Sequence, residues 1–178
     1  MKRHVALLRG INVGRNRRIA MADLRSLLEE RGFEDVRTLG QSGNVVLSSD
    51  ASPDEVASAV SRAIADGLGL DVAVVVRSAS ELAAVVERDP LGDVATDPRR
   101  YLVHFLSGRP RAAAVRELAA ADVAPEAFAA HGRELYTWHP DGQQRSGLAG
   151  MIAEADLGVV VTNRNWNTVT KLRALARE

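Results

Sequence analysis

Three short segments combine side chains that bind anions with residues that turn the backbone. The first is Arg9–Asn16 (RGINVGRN), where two glycines allow tight turns and two arginines supply fork-shaped donors for phosphate or carboxylate. The second is Gln41–Asn44 (QSGN), in which Ser-Gly and Asn suit a turn and the turn itself does not require Gln41. The third is Thr162–Lys171 (TNRNWNTVTK), which is rich in Asn and Thr. Each segment is a candidate part of a ligand site.

The third segment has the pattern of a helix start. Thr162 or Asn163 is positioned to cap the helix, which would leave free N–H groups facing an anion. Arg164 would then stand beside that anion, and Lys171 lies about two turns along the helix. We interpret Trp166 as an anchor in the core in preference to a base-stacking residue.

Several familiar catalytic and cofactor motifs are absent from the sequence. The glycine spacing of the first segment does not match a P-loop, and no G-x-G-x-x-G or G-x-S-x-G pattern occurs. The four histidines lack zinc-site spacing, and Asp89, Asp93 and Asp97 do not follow the calcium-loop pattern. The absence of cysteine excludes thiol catalysis and disulfides. We therefore expect no metal and no cofactor.

The formal net charge is zero, with 23 basic and 23 acidic residues, but the charges are unevenly distributed. Residues 1–20 carry six basic side chains and no acid, and residues 157–177 carry four and no acid. Residues 51–98 carry nine acids against three arginines, a net charge of −6. This distribution excludes a generally polycationic nucleic-acid coat and permits one localised anion site.

The composition indicates a globular protein that does not enter the membrane. Apolar residues make up 46% of the chain, yet the longest apolar runs are far shorter than the roughly 18–20 residues that a membrane span requires. The amino terminus leads directly into a strand-like run without an export signal. We expect a soluble, cytoplasmic protein.

Hydrophobic periodicity predicts the same order of elements in each half of the chain. The predicted elements of the first half are a strand at His4–Arg9, a loop at Gly10–Ala20, a helix at Ala22–Arg31, a hairpin around Gln41-Ser42-Gly43, a helix starting at Ser52-Pro53-Asp54-Glu55, a strand at Asp71–Arg77 and a helix from Ser78. Those of the second half are strands at Tyr101–Ser107, Ala127–Ala130, Glu134–His139 and Val159–Val161, and helices at Arg111–Ala121, Ser146–Ala155 and Asn165–Arg177.

Each half therefore has the order β-α-β-β-α-β-α, which predicts an α+β protein of two ferredoxin-like (split β-α-β) subdomains in tandem. The predicted boundaries are residues 1–90 for the first subdomain, 91–100 for a linker rich in Pro, Gly and Asp, and 101–178 for the second.

The three polar segments also carry a resemblance to a known family. RGINVGRNRRIAMADLR, QSGNVV and RNWNTVTKL, in that order, resemble the bacterial family called domain of unknown function 1697. The resemblance covers nearly the whole chain and implies a soluble bacterial protein of two α+β subdomains, without implying an activity. The characteristic positions that it implies here are Arg9, Gly10, Asn12, Gly14, Gln41, Ser42, Gly43, Asn44, Arg164, Asn165, Trp166, Thr168 and Lys171.

The leading functional hypothesis is that the three segments form one site for an anionic, phosphate-bearing ligand. A compact ligand such as a nucleotide is favoured over a nucleic-acid segment, because the chain has only seven aromatic residues and no RNP pattern. The oligomeric state is left open. The predicted ligand-binding residues are Arg9, Gly10, Asn12, Gly14, Gln41, Ser42, Asn44, Arg164, Asn165, Thr168 and Lys171.

Two other classes of function remain open. An enzyme could use the same segments for phosphoryl or acyl chemistry, and His139 and Asp141, near Arg145, are then the nearest candidates in sequence for a general base. Alternatively, the chain is a protein-interaction module, in which the motif residues are structural and satisfy buried backbone groups.

Overall fold

The computed structural model describes all residues, Met1–Glu178, as an α+β protein with two four-stranded antiparallel sheets and six α-helices. The chain divides into two compact units, the first containing Met1–Ala84 with Lys171–Glu178 and the second containing Val85–Thr170. None of the helices has the length and apolar character needed to span a membrane. The subdomain ranges 1–90 and 101–178 stay a prediction.

The first unit has the predicted order of elements. They are β1 (Lys2–Leu8), α1 (Met21–Glu30), β2 (Glu34–Thr38), β3 (Asn44–Ser49), α2 (Pro53–Leu68), β4 (Val74–Ser78) and the start of α3 (Ala79–Arg88). Its sheet has the strand order β2-β3-β1-β4, and every neighbouring pair is antiparallel.

Local signals place the helix ends of this unit. Ser52 and Glu55 form a capping box at the predicted start of α2, and Pro53 occupies its first turn. Gly69 ends α2 in the left-handed region at φ +67°. Ser78 and Glu81 cap α3 in the same reciprocal way. The two predicted helix starts, at Ser52 and at Ser78, are confirmed.

The second unit repeats the order. It contains the end of α3, β5 (Tyr101–Leu106), α4 (Ala112–Ala120), β6 (Ala127–His131), β7 (Glu134–Trp138), a short 3-10 helix (Gln143–Arg145), α5 (Gly147–Glu154), β8 (Val161–Asn165) and the start of α6 (Trp166–Leu175). The strand order is β6-β7-β5-β8, again antiparallel throughout.

The three strands β3-β1-β4 of the first sheet correspond residue by residue to β7-β5-β8 of the second, because their pairing registers match. Val5 of β1 pairs with Arg77 of β4, and Val103 of β5 pairs with Arg164 of β8. Both arginines precede the residue that caps the next helix, and each Nη1 donates to the carbonyl of the residue before it, at 3.0 and 2.7 Å. The registers therefore allow each unit to serve as a comparison for the other.

Each sheet packs one face against its own helices. In the first unit, the apolar side chains of β1, β3 and β4 that face α1 and α2 form a continuous core, with Leu8, Val45 and Leu47 fully buried. In the second unit, Leu106 and Leu135 pack with Leu118 of α4 and other apolar residues of this cluster. Burial of apolar side chains at this scale supplies the main stabilising term of each unit.

The prediction for the last strand and helix was wrong at their junction. The strand continues through Asn165 instead of ending at Val161, because residues Val161–Asn165 pair with β5 in regular antiparallel register. Neither Thr162 nor Asn163 caps α6. Asn165 does so, and its Oδ1 accepts from the Thr168 N–H at 3.0 Å. Pairing with β5 overrides the low strand propensity of asparagine.

The cap of α6 generates a first prediction. Asn165→Ala leaves the Thr168 N–H without its side-chain acceptor and should lower the free energy of unfolding by about 1 kcal/mol. Asn165→Asp keeps an acceptor and places a negative charge at the helix start, so its stability should stay near that of the wild type. Urea denaturation followed by circular dichroism measures both. Equal stability of the alanine variant and the wild type would contradict this role.

Candidate functional site

Asn12 organises the loop that follows β1. Its backbone is in the left-handed region, at φ +54°. Its side-chain amide donates to the carbonyls of Ile19 at 3.0 Å and Gln41 at 2.6 Å, and its Oδ1 accepts from the Ile19 N–H at 2.8 Å. One side chain therefore closes the loop and joins it to the second polar segment.

The Gln41–Asn44 turn is held in a similar way. Asn44 is buried, and its side-chain amide donates to the Leu39 carbonyl at 3.1 Å and to Ser42 Oγ at 3.0 Å. Gly43 has φ +87°, and a Cβ there would lie only 2.7 Å from Cβ of Leu8. The side chains of Gln41 and Ser42 are exposed. Asn44 and Gly43 thus shape the turn, while Gln41 and Ser42 face solvent.

A basic cleft lies where the loop leaves β1. It has a volume of about 370 Å³ and is lined by Arg9, Gly10, Arg17, Asp71 and Ala73. Arg17 Nη2 donates to the Asp71 carbonyl at 2.6 Å, and the Arg9 N–H donates to the Ala73 carbonyl at 2.9 Å. Hydrogen bonds therefore join the two chain segments that form the cleft, and two arginines are among its lining residues.

Gly14 occupies a different part of this loop. It has φ +67°, and its carbonyl accepts from Arg18 Nη2 at 3.1 Å. Gly14 does not line the cleft. Its position fits a turn that returns the chain toward Ile19.

The side chains of the third polar segment make several contacts with residues near them in sequence or in the adjacent strand. Burial lowers the pKa of Arg164 to about 10, and its Nη1 donates to Thr162 Oγ1 at 3.0 Å. Trp166 stacks on Tyr101, with ring centroids 4.5 Å apart and planes 13° from parallel. The N–H of Thr168 is used by the Asn165 cap, and the Lys171 side chain is exposed. That this segment joins the first two in one site stays a prediction.

A buried polar network in the second unit was not predicted from the sequence. His104 Nε2 lies 2.9 Å from Thr137 Oγ1, which lies 2.7 Å from Nε2 of His139. The other ring nitrogen of His139, Nδ1, lies 2.6 Å from Glu126 Oε2 and 2.8 Å from Ser146 Oγ. The network thus runs from a buried strand to the start of α5.

The geometry of this network differs from that of a serine nucleophile with its base. A catalytic triad places the serine and the acid on opposite nitrogens of the imidazole. Here Ser146 and Glu126 both approach Nδ1 of His139. Burial raises the pKa of Glu126, but hydrogen bonds from Ser146, His139 and the Leu148 N–H outweigh it, so this pKa lies below its ordinary value. A carboxylate stabilised in this way is a weak base.

Glu126 and Ser146 instead act as a cap for α5. Ser146 Oγ accepts from the Ala149 N–H at 2.8 Å, and Glu126 Oε1 accepts from the Leu148 N–H at 3.2 Å. In the capping box of α2, the residue three positions after the capping serine is a glutamate, whereas the corresponding residue of α5 is Ala149. The carboxylate at the start of α5 comes instead from Glu126, which lies twenty residues before Ser146. Asp141 lies two residues from His139 and was therefore predicted as a candidate general base, whereas Glu126 is distant in sequence and was not.

The first unit indicates that the fold itself does not require the polar network. By strand register, His104 and Thr137 occupy the positions that Ala6 and Leu47 hold in the first sheet. Ala6 and Leu47 are fully buried and belong to the apolar core. No group of three or more His, Asp or Glu side chains is placed to hold a metal ion.

The Gln41–Asn44 turn generates a second prediction. Gly43→Ala combines a positive φ with a close approach to Leu8, so it should lower the free energy of unfolding by about 2–4 kcal/mol. Gly40→Ala is the matched control, since Gly40 has a similar φ of +65° with open space around its Cβ position. The control should cost only about 1–2 kcal/mol. A Gly43 variant as stable as the Gly40 variant would refute the close approach.

The buried imidazole of His104 generates a third prediction. Burial, with a smaller contribution from the charge of His139, lowers the pKa of His104 to about 3. The unfolded chain takes up a proton near pH 6.5 and the folded chain does not, so stability is full above pH 6.5 and falls toward pH 3. The slope attributable to this group is at most about 1.4 kcal/mol per pH unit.

His104→Leu should therefore flatten the pH dependence of the free energy of unfolding between pH 6 and pH 4. Histidine resonances followed by NMR provide a second measurement. A midpoint for His104 above about pH 5 would refute the assignment.

Comparison with known proteins agrees with this architecture. No curated protein matches the sequence. The fold is similar to that of the conserved bacterial protein SP0830 from Streptococcus pneumoniae, with a TM-score of 0.81, 20% sequence identity and 98% of each chain covered. The family described as "Protein of unknown function (DUF1697)" matches residues 1–136, which include the Arg9–Asn16 and Gln41–Asn44 segments. The chain belongs to this family.

Proposed function

We propose that this protein binds a compact phosphate-bearing ligand in the cleft beside Arg9 and Arg17. The observation that carries the proposal is the presence of two arginines, Arg9 and Arg17, among the residues that line about 370 Å³ of open space beside the end of β1. Guanidinium groups form charge-assisted, often bidentate hydrogen bonds with phosphate oxygens. Residues 1–20 contain no acid, and the one acidic residue that lines the cleft is Asp71, whose backbone carbonyl accepts from Arg17.

The size and composition of the cleft favour a small ligand over a nucleic-acid strand. A volume of about 370 Å³ lies at the lower end of the range of ligand pockets, about 300–1,000 Å³. Single-stranded nucleic acids are usually held by aromatic side chains along an extended groove. None of the residues that line this cleft is aromatic. A nucleotide, a sugar phosphate or phosphate itself fits the cleft chemistry better.

The predicted site residues divide into two roles in this proposal. In this proposal Arg9, Gly10 and Arg17, which line the cleft, contact the ligand, and the exposed side chain of Gln41 adds a polar contact. The remaining first-unit residues, Asn12, Gly14 and Asn44, shape the loop and the turn. Arg164, Asn165 and Thr168 have local structural roles in the second unit, so we confine the proposed ligand contacts to the first.

We also propose that each unit is a ferredoxin-like split β-α-β fold. The proposal is supported by the β-α-β-β-α-β element order and by the central position of the first and third strands in both antiparallel sheets. In this topology the loop after the first strand lies at one end of the sheet, beside the entrance to the last strand. Both of these segments line the cleft.

Arg9→Gln provides the test of the ligand site. Removing one guanidinium should weaken phosphate, pyrophosphate or nucleotide binding by about 10–100-fold, as expected for a lost hydrogen bond to a charged group. Arg15→Gln, on the same loop but outside the cleft, should change affinity less than about threefold. Isothermal titration calorimetry at low salt measures each affinity.

Two results would reject the proposed function. One is the absence of any binding of phosphate, pyrophosphate or nucleotides by the folded wild-type chain at low salt. The other is equal loss of affinity in the Arg9 and Arg15 variants, which would indicate attraction by net charge without a defined site. Thermal denaturation of each variant without ligand establishes that the loop remains folded.

A further inference from the structure

Each unit has the same junction where the chain leaves the first strand of its sheet. In the first unit, the Arg9 N–H donates to the Ala73 carbonyl at 2.9 Å, and in the second, the Ser107 N–H donates to the Val160 carbonyl at 2.9 Å. Each donor directly follows the first strand of its sheet, and each acceptor directly precedes the last strand. A glycine follows the donor in both units. The two junctions are therefore equivalent, and their side chains can be compared position by position.

In the second unit, a serine side chain satisfies the backbone N–H at this junction. The Val160 N–H donates to Ser107 Oγ at 2.9 Å. The corresponding N–H of the first unit belongs to Ala73, and the corresponding side chain is that of Arg9, which contains no acceptor atom. The Ala73 N–H has no acceptor within the protein. The first unit therefore leaves a backbone donor unpaired at a residue that lines the cleft.

The second unit also supplies a carboxylate beside its junction. Gly158 lies two residues before Val160, and a Cβ added to it would lie 3.1 Å from Nε of Arg111. The guanidinium of Arg111 forms an ion pair with Asp156. Both donor groups of this junction, the Val160 N–H and the Arg111 guanidinium, therefore have an oxygen acceptor from a side chain of the same unit.

The arginine at the junction of the first unit has only a backbone partner. Arg17 Nη2 donates at 2.6 Å to the carbonyl of Asp71, the residue that corresponds to Gly158. Arg17 makes no further hydrogen bond and no ion pair. The residue two positions before Asp71 is Gly69, whereas Asp156 lies two positions before Gly158. The first unit therefore lacks the carboxylate that pairs with the arginine of the second.

We propose, resting on the function proposed above, that a terminal phosphate binds at this junction of the first unit and accepts from the Ala73 N–H, Arg17 and Arg9. Its oxygens take the roles that Ser107 Oγ and the Asp156 carboxylate have in the second unit. Charge-assisted hydrogen bonds of this kind are about twice as strong as neutral ones. Because Ser107 and Asp156 already occupy the equivalent donors, the second unit does not bind the ligand, and each chain binds one.

The donors at this junction favour a phosphomonoester over a phosphodiester. The Arg9 guanidinium makes no hydrogen bond or ion pair in the protein, so it adds a third donor group to those of Ala73 and Arg17. A phosphomonoester has three terminal oxygens and a charge of about −1.5 to −2 at pH 7, which matches these donors. A phosphodiester has two free oxygens and a single negative charge. We therefore expect a mononucleotide or a sugar phosphate that presents its phosphate terminally.

NMR titration of the full chain with methyl phosphate tests the backbone contact. The Ala73 amide proton should shift downfield as the phosphate binds, because it gains a charged acceptor. The Val160 amide proton is the matched control and should not move, since it already donates to Ser107 Oγ. Dimethyl phosphate, a diester, should bind at least about tenfold more weakly than methyl phosphate. Isothermal titration calorimetry measures both affinities and the number of ligands per chain.

Two neighbouring arginines of the loop provide a matched pair of variants. Arg17 lines the cleft and donates to the Asp71 carbonyl, whereas Arg18 lies outside the cleft and donates to the Gly14 carbonyl. Each change to glutamine removes one charge and one such hydrogen bond. Arg17→Gln should weaken methyl phosphate binding at least about tenfold, and Arg18→Gln less than about threefold. The amide spectra of both variants without ligand establish that the loop remains folded.

The outcomes separate this subsite from the proposed function. Binding that depends on Arg9 but leaves the Ala73 amide proton unmoved would overturn the subsite and leave the proposed function intact. Equal losses of affinity in the Arg17 and Arg18 variants would do the same, as would two ligands per chain or equal affinities for the monoester and the diester. A wild-type chain that binds no phosphate compound would reject the proposed function itself.

Discussion

The hydrogen bonds of the Asn12 side chain are the constraint on which the candidate site depends. An amide carries both donors and an acceptor, so one residue can satisfy the Ile19 backbone in both directions and still reach the Gln41 carbonyl. Asparagine also tolerates the left-handed conformation that this position requires. The Asn12 side chain therefore closes the loop, and the buried side chains of Ile11 and Ile19 anchor it in the core of the first unit.

Because the two sheets have equivalent strand positions, a comparison of their buried side chains shows which ones the fold does not require. Ala6 and Leu47 in the first unit show that the central strand positions can be filled by apolar side chains. His104 and Thr137 fill the same positions in the second unit with a hydrogen-bonded pair, which burial makes costly unless every partner is present. The network is complete only because His139, Glu126 and Ser146 continue it to the first turn of α5.

The sequence predicted features that are determined locally. Two helix starts could be predicted, at Ser52 with Glu55 and at Ser78 with Glu81, because a capping box is encoded within four residues. The Gln41–Asn44 turn was predictable for the same reason. The strand identity of Thr162–Asn165 was not, since it depends on pairing with β5, about sixty residues away. Glu126 escaped notice because its partners lie thirteen and twenty residues along the chain.

The kind of ligand that the candidate site would bind could be predicted from the sequence, but only some of the residues that line the site could. Arg9 and Gly10 were identified from their types and spacing, whereas Arg17 and Asp71 became part of the cleft through a hydrogen bond that joins two distant loops. The side-chain amides of Asn12 and Asn44 donate to backbone carbonyls, and a contact of either residue with a ligand stays a prediction. In a sequence, an asparagine beside glycines therefore indicates either a ligand contact or a residue that holds a loop in shape. Only the position of its amide in the folded chain distinguishes a residue that binds a ligand from one that builds the loop around it.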